Sequence, residues 1–435
     1  MALMESSGVA VCKRTCRALP GKAAPAKRGW KAAEGWNGWG VQLLWLGAAC
    51  SVVAMALFTP YGCDAKSYLE AIRQYTAYIH GQESSSLAYS PLFLIPAAGL
   101  ARLMPLWLVT ALYVFAYCSG WLTQLWAGMQ LATPEERRIL SYAAPVITFF
   151  PGLLISDVFV AGNIAYILYG LMLAAAVQGW KRGRWNWFYL AVLAAACVKI
   201  QLLTMLAIPL LCGRRQWMRA VTTGAIGVSL YALQSRIWPQ AFQVYVNSLK
   251  LMSQSRRDFG CGPVGNLARI LQRSGVPHEI PCIVLYACYA TGLFLLLLRL
   301  ARLYRERRIC FESWAPVMLL GVVLLSPRIQ SYDVAAVSLP MAILAWRSLH
   351  KAGRSPSRAV VIGSATALLA LNVMVEANED WVTVLPEAWK YAEMFLMLGI
   401  FAFGVRGILK EAGGEWASMS EHEVADSFVA ESEMP

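Results

Sequence analysis

Charged side chains are scarce: 14% of the 435 residues are Asp, Glu, Lys or Arg, against 58% hydrophobic, and the mean hydropathy is +0.50. So few charges cannot cover a soluble globule of this length, which leaves a polytopic membrane protein. Histidine is rarer still, with four residues. With no acidic triad in the segments expected outside the membrane, we expect neither a metal nor a cofactor. The eleven cysteines include no C-x-x-C and no metal-ligand spacing, and most fall in apolar runs as small packing groups. A glycine-rich phosphate loop is also missing, which argues against a nucleotide substrate. No internal repeat is found, and this weighs against a transporter built from inverted halves.

What the chain does have is a succession of apolar runs. A helix needs roughly 20 residues to cross ~30 Å of hydrocarbon. Beyond a first span, Trp39 to Phe58, candidate segments lie near 88–103, 106–130, 139–156, 160–178, 186–198, 200–212, 220–237, 281–299, 314–326, 333–347, 358–375 and 389–405. The net charge of +13 resides largely in short basic connectors and a basic N-terminal arm, as positive-inside topology requires, rather than on a face fit for nucleic acid. No signal cleavage pattern follows Phe58, so the first span is expected to stay, with Asp64 outside.

Residues 1–38 read as a disordered basic cytoplasmic arm, 39–410 as the membrane domain, and 411–435 as an acidic disordered tail. Two larger outer loops are expected at 59–87 and 238–280. In the first, Tyr68, Leu69, Ile72, Tyr75, Tyr78 and Ile79 recur at helical spacing, which predicts a helix on the membrane surface. The second holds Arg256 and Arg257 among turn-forming glycines. Cys63 and Cys261 fall in different outer loops and could form a disulfide. Four candidate spans separate Asp64 from Lys181. Opposite sides require an odd number of crossings, so one segment is re-entrant or two form a single broken helix.

Three constellations can carry chemistry. Asp64 stands at the mouth of the first span, either as a solvated loop acid, a partner for Lys66, or a catalytic base. Tyr89-Ser90-Pro91 opens the next apolar run with a helix start whose free N–H groups would favour an anion. Ser326-Pro327-Arg328-Ile329-Gln330-Ser331-Tyr332-Asp333 places Arg328 and Asp333 at the outer boundary, as a hairpin-closing ion pair or as a phosphate grip. Lys199 lies near an outer hairpin turn, where it either snorkels to the interface or pairs with a lipid phosphate. Asp157 and Asn163, on either side of Gly162, read more simply as a capped helix start.

Taken in order, the first span, Asp64, Tyr89-Ser90-Pro91-Leu92-Phe93, Gly162-Asn163, the Ala-rich helix ending in Lys199, Arg214-Arg215-Gln216-Trp217, Ser326-Pro327-Arg328 and Tyr332-Asp333 resemble glycosyltransferase family 87. The resemblance runs from about Trp39 to Phe403. It implies a GT-C-like bundle of about 11–13 transmembrane or re-entrant helices with the active site in its outer-face loops. It also implies transfer of a hexosyl group, mannosyl among the candidates, from a polyprenyl-phosphate sugar to a glycan or glycolipid acceptor by inverting displacement. The expected setting is the bacterial cytoplasmic (inner) membrane with the site facing the periplasm or exterior. Asp64 would be the base, Lys199, Arg328, Arg256 and Arg257 would hold the donor phosphate, and Tyr89, Asn163, Tyr332 and Asp333 would line the substrate cavity. Where the family usually has Tyr-Pro-Pro and Gly-Gln-x-Asn, this chain has Tyr89-Ser90-Pro91 and Gly162-Asn163-Ile164-Ala165. The competing function is a transporter or flippase for a lipid-linked or anionic solute.

Overall fold

The computed structural model describes residues 38–61, 63–73, 76, 79–80, 89–137, 140, 162–254, 259–351 and 391–413. Among them there is no strand, and the chain is an all-α polytopic membrane protein. α1 (Gly38–Phe58) passes through a 3-10 turn, Thr59–Tyr61, into α2 (Cys63–Arg73), and the short α3 (Pro91–Ala101) precedes α4 (Leu106–Leu131). α5 (Ala165–Arg182) and α6 (Asn186–Val198) lead to a 3-10 stretch, Ile200–Leu206, that continues as α7 (Ala207–Cys212). α8 (Arg214–Ile237), α9 (Pro239–Gln254), α10 (Pro263–Arg273) and α11 (Glu279–Arg305) follow. The order closes with α12 (Phe311–Leu324), α13 (Ser331–Ala335), α14 (Ser338–Lys351) and α15 (Tyr391–Gly413).

Three of these helices, α4, α11 and α15, are long and apolar enough to cross a membrane on their own. Their outward side chains are apolar too: Trp107, Phe115, Ile280, Ile283 and Phe395 are all more than 60% exposed. In water such a surface would drive aggregation; in hydrocarbon it is already solvated. α12 has the opposite character. Every residue from Trp314 to Leu324 is buried, so it forms the centre of the bundle.

α4 and α5 run parallel. Tyr113 donates to the Gly162 carbonyl, Gln124 Nε2 to the Tyr166 carbonyl at 2.9 Å, and Lys181 Nζ to Gln130 Oε1 at 2.5 Å, so positions on both helices advance together. Glycines permit the close approach. A Cβ on Gly120 would stand 3.3 Å from Ile167 Cα, and one on Gly170 would stand 2.5 Å from Thr123 Oγ1. Both helices therefore begin at the end of the bundle that carries Asp64 and finish at the end that carries Lys181.

α3 bears on the number of crossings between Asp64 and Lys181. α3 has 11 residues and spans about 16 Å, half of what a crossing needs. It begins at the Asp64 end, where Phe93 meets Tyr68, and α4 also begins there. The expected span at 88–103 is thus no crossing at all. The return between the parallel α4 and α5 falls in 138–161, so the expected span 139–156 lies almost wholly outside the described residues. The segment 200–212 is likewise not a plain α-helix. Its first seven residues are 3-10, which rise faster per residue, so the 13 residues reach about 23 Å.

At the Lys181 end the helices are tied by charge. Arg347 of α14 grips Glu136 with Nε at 2.5 Å and Nη2 at 2.7 Å, while Nη1 donates to the Glu312 carbonyl at the start of α12. Tyr304 stacks on Trp314 at 4.3 Å nearby. The expected outer loop 238–280 is mostly helical, since Pro239 and Pro263 each open a helix and Gly260 and Gly262 form the turn between them. The N-terminal arm, the segment 358–375 and nearly all of the acidic tail lie outside the described residues.

Candidate active site

Asp64 stands in the first turn of α2, where the helix dipole favours a carboxylate. Its Oδ2 accepts a 2.7 Å hydrogen bond from Asn163 Nδ2. The same asparagine accepts at Oδ1 from Lys199 Nζ at 3.3 Å and from the Ala165 N–H at 2.9 Å. Asn163 therefore closes the turn that leads into α5 and links an acidic and a basic residue that are 135 positions apart in the chain, Asp64 and Lys199.

Gly162 makes this geometry possible. It has φ +64°, and a Cβ there would lie 2.5 Å from the Thr59 carbonyl oxygen and 2.9 Å from Ala65 Cβ. Only glycine lets the turn press against the α1–α2 junction and deliver Asn163 to Asp64. Lys199 reaches the same point because α6 ends at Val198 and residue 199 is extended, at φ −140° and ψ 108°. Its side chain leaves the helix direction there and lies 5.1 Å above the Tyr89 ring, a cation–π contact.

Tyr89 is buried at 3% exposure and packs edge-on against Tyr68 at 4.8 Å. Tyr68 also meets Phe93 and Tyr113, and Tyr113 leads on to Tyr117. These rings form a wall beside the Asp64–Asn163–Lys199 chain. Tyr89 belongs to that wall as a support for Lys199 more than as an open cavity surface.

Asp333 is buried at 1% exposure in the first turn of α13. Its Oδ2 accepts from the Gln330 N–H at 2.8 Å in a capping box. Asp333 and Asp64 both attract the Lys199 ammonium electrostatically, and Arg328 opposes it. The half-buried Arg328 belongs to the same loop, in which Ser326 Oγ donates to the Arg328 carbonyl at 3.0 Å and Ile329 O accepts from the Cys261 N–H at 2.6 Å. Four of the expected residues, Asp64, Asn163, Lys199 and Asp333, thus form one electrostatic group with Arg328 at its edge.

The other expectations fare differently. Arg256, Arg257 and Asp157 lie outside the described residues, as does the side chain of Tyr332. The buried Cys261 thiol donates to Ile329 O at 3.4 Å, and the side chain of Cys63, its expected disulfide partner, lies outside the described residues. The start of α3 is not open to an anion: the Leu92 N–H already has Ser90 Oγ and Gln234 Oε1 at 3.3 Å each. Gln234 comes from the far end of α8 and also accepts from Ser90 Oγ at 2.7 Å. A glutamine inside the apolar run 220–237 is the sequence signal for this contact.

A family model described as glycosyltransferase family 87 matches residues 86–327. That is more than half of the chain. The match takes in Tyr89, Asn163 and Lys199 and stops short of Asp64 and Arg328, so it is narrower than the resemblance running from Trp39 to Phe403. No curated protein and no solved structure matches the chain.

Proposed function

The chain belongs to glycosyltransferase family 87, and from that premise we propose that this membrane enzyme transfers a hexosyl group from a polyprenyl-phosphate sugar to a glycan or glycolipid hydroxyl, with Asp64 as base. The observation that carries the reading is the Asp64–Asn163–Lys199 chain, which holds a carboxylate and a cation on opposite ends of one side-chain amide. A displacement at an anomeric carbon needs that pair: one group for the incoming hydroxyl, another for the departing phosphate.

The acceptor oxygen bonds to the anomeric carbon from the face opposite the phosphate, and the carbon–oxygen bond to the phosphate breaks with its electron pair on the phosphate. The configuration inverts. Asp64 takes the hydroxyl proton through Oδ1, the oxygen not engaged by Asn163, while Asn163 orients the carboxylate. An aspartate is a weak base, so the proton moves late, once the hydroxyl has been acidified by an oxocarbenium-like transition state. Lys199, steered by Tyr89 and Asp333, and Arg328 offset the charge gathering on the leaving phosphate. A lipid-linked donor suits a site reached from within the bilayer. The basic ends of α5, α11 and α15 support a cytoplasmic Lys181 end, and on this reading Asp64 faces outward from a bacterial inner membrane.

The test is transfer from radiolabelled polyprenyl-phosphate mannose by the purified protein in lipid, wild type against Asp64→Asn. Asparagine keeps the shape and the contact to Asn163 but cannot take the proton, so turnover should drop by about 10²–10⁴-fold. Undiminished transfer would remove Asp64 as base. Movement of the lipid-linked sugar across the vesicle with no glycosidic product would replace the transferase reading by a flippase.

A further inference from the structure

Arg269 of α10 is fully buried, at 0% exposure, and takes no part in the scheme above. Burying a guanidinium is costly unless its donors are used. Here they are: Nη1 donates to Asn266 Oδ1 and Nη2 to the Gly260 carbonyl. Gly260 has φ +80°, and a Cβ on it would collide with the Ile329 carbonyl oxygen. That same oxygen accepts from the Cys261 N–H at 2.6 Å and from Cys261 Sγ at 3.4 Å. The turn at 259–262 is thus held by Arg269 on one side and pressed against Ile329 on the other. Ile329 is the neighbour of Arg328.

Resting on the donor-phosphate role given to Arg328, we infer that Arg269 is a positioning residue for recognition of the lipid phosphate: by gripping Gly260 it fixes the turn from which the Arg328 loop hangs. The planar fork is essential, because a lysine ammonium has the charge but not the geometry to span Asn266 Oδ1 and the Gly260 carbonyl together. The brace extends to α15, since Asn266 Nδ2 lies 3.2 Å from Met394 Sδ and the Arg269 charge interacts with Glu393.

The experiment measures saturation photolabelling of the full-length protein in lipid discs by a photoreactive polyprenyl phosphate, with the uncharged polyprenol of equal length as comparison. Arg269→Lys should weaken capture of the phosphate on the order of tenfold, the worth of one charge-assisted contact, and leave polyprenol capture unchanged. Arg328→Ala should do the same, and the double variant should be no worse than Arg328→Ala alone. Asn266→Ala, which removes one of the two acceptors, should show the same selective loss in milder form, and it carries the test if Arg269→Lys does not fold. Equal loss of phosphate and polyprenol binding, additivity in the double variant, or wild-type phosphate capture by Arg269→Lys beside a weakened Arg328→Ala would overturn the inference. If Arg328→Ala itself binds normally, the donor-phosphate reading of Arg328 is what has failed, and the inference falls with it.

Discussion

Gly162→Ala offers the sharpest test of how the site is built. Two costs can be separated. The first is the backbone: at φ +64° an alanine pays about 1–2 kcal/mol for the left-handed region. The second is space. The new Cβ would stand 2.5 Å from the Thr59 oxygen, while real contacts do not go below 3.0 Å, so the turn must retreat by at least 0.5 Å. Thr59 and Ala65 flank Asp64, so the retreat carries Asn163 away from the carboxylate. The 2.7 Å bond between them then opens to about 3.2 Å, the limit of a useful hydrogen bond. Misplacement on this scale at a reacting centre costs on the order of 10–100-fold in turnover.

Gly183→Ala supplies the control. It has nearly the same conformation, φ +69°, with nothing within 4 Å of an added Cβ. Gly183→Ala should lose only the backbone contribution in thermal unfolding in lipid discs and Gly162→Ala at least as much, but only Gly162→Ala should lose transfer from polyprenyl-phosphate mannose. Equal activity in the two would refute the claim that Gly162 serves to deliver Asn163 to Asp64.

Lys199→Gln keeps a hydrogen-bonding end near Asn163 but removes the charge, so kcat/KM for the lipid-linked donor should fall roughly 10²-fold, read from donor titrations; an unchanged value would exclude Lys199 from the phosphate site. At the other end of the bundle, Arg347→Met leaves Glu136 without its guanidinium and should cost about 3–5 kcal/mol at neutral pH in reversible unfolding. Burial opposes ionisation of Glu136, but the Arg347 hydrogen bonds and charge outweigh it and hold the carboxyl below its usual 4.5. The unfolded state therefore binds more protons on acidification. The stabilisation is complete above about pH 4.5 and is lost as pH falls through the lowered folded value, so the unfolding temperature of Glu136→Gln should change less over that range than that of the wild type.

Much of the fold was legible because a membrane imposes it. Long apolar runs with basic connectors leave few alternatives to helices, and α4, α11, α12 and α15 fall close to the expected segments. The structure departs from the expected segments where periodicity does not register length or partnership. The run at 88–103 is as apolar as a span, yet Pro91 and the turn after Ala101 limit α3 to 11 residues. The stretch 239–279 looked like a loop because its polar residues and glycines mask two amphipathic helices.

The site divides the same way. The sequence by itself determined which residues could do chemistry, since an isolated Asp64, Lys199 or Arg328 beside a membrane must be satisfied by something. Only the tertiary structure decided what satisfies them. Asn163 joins Asp64 to Lys199 because α4 and α5 pack in parallel through glycines and Gly162 adopts a left-handed turn against Thr59. Arg269 supports the Arg328 loop because the α10 turn happens to meet Ile329. Such contacts bridge residues tens to more than a hundred positions apart, and local patterns of hydrophobicity and charge contain no information on that distance.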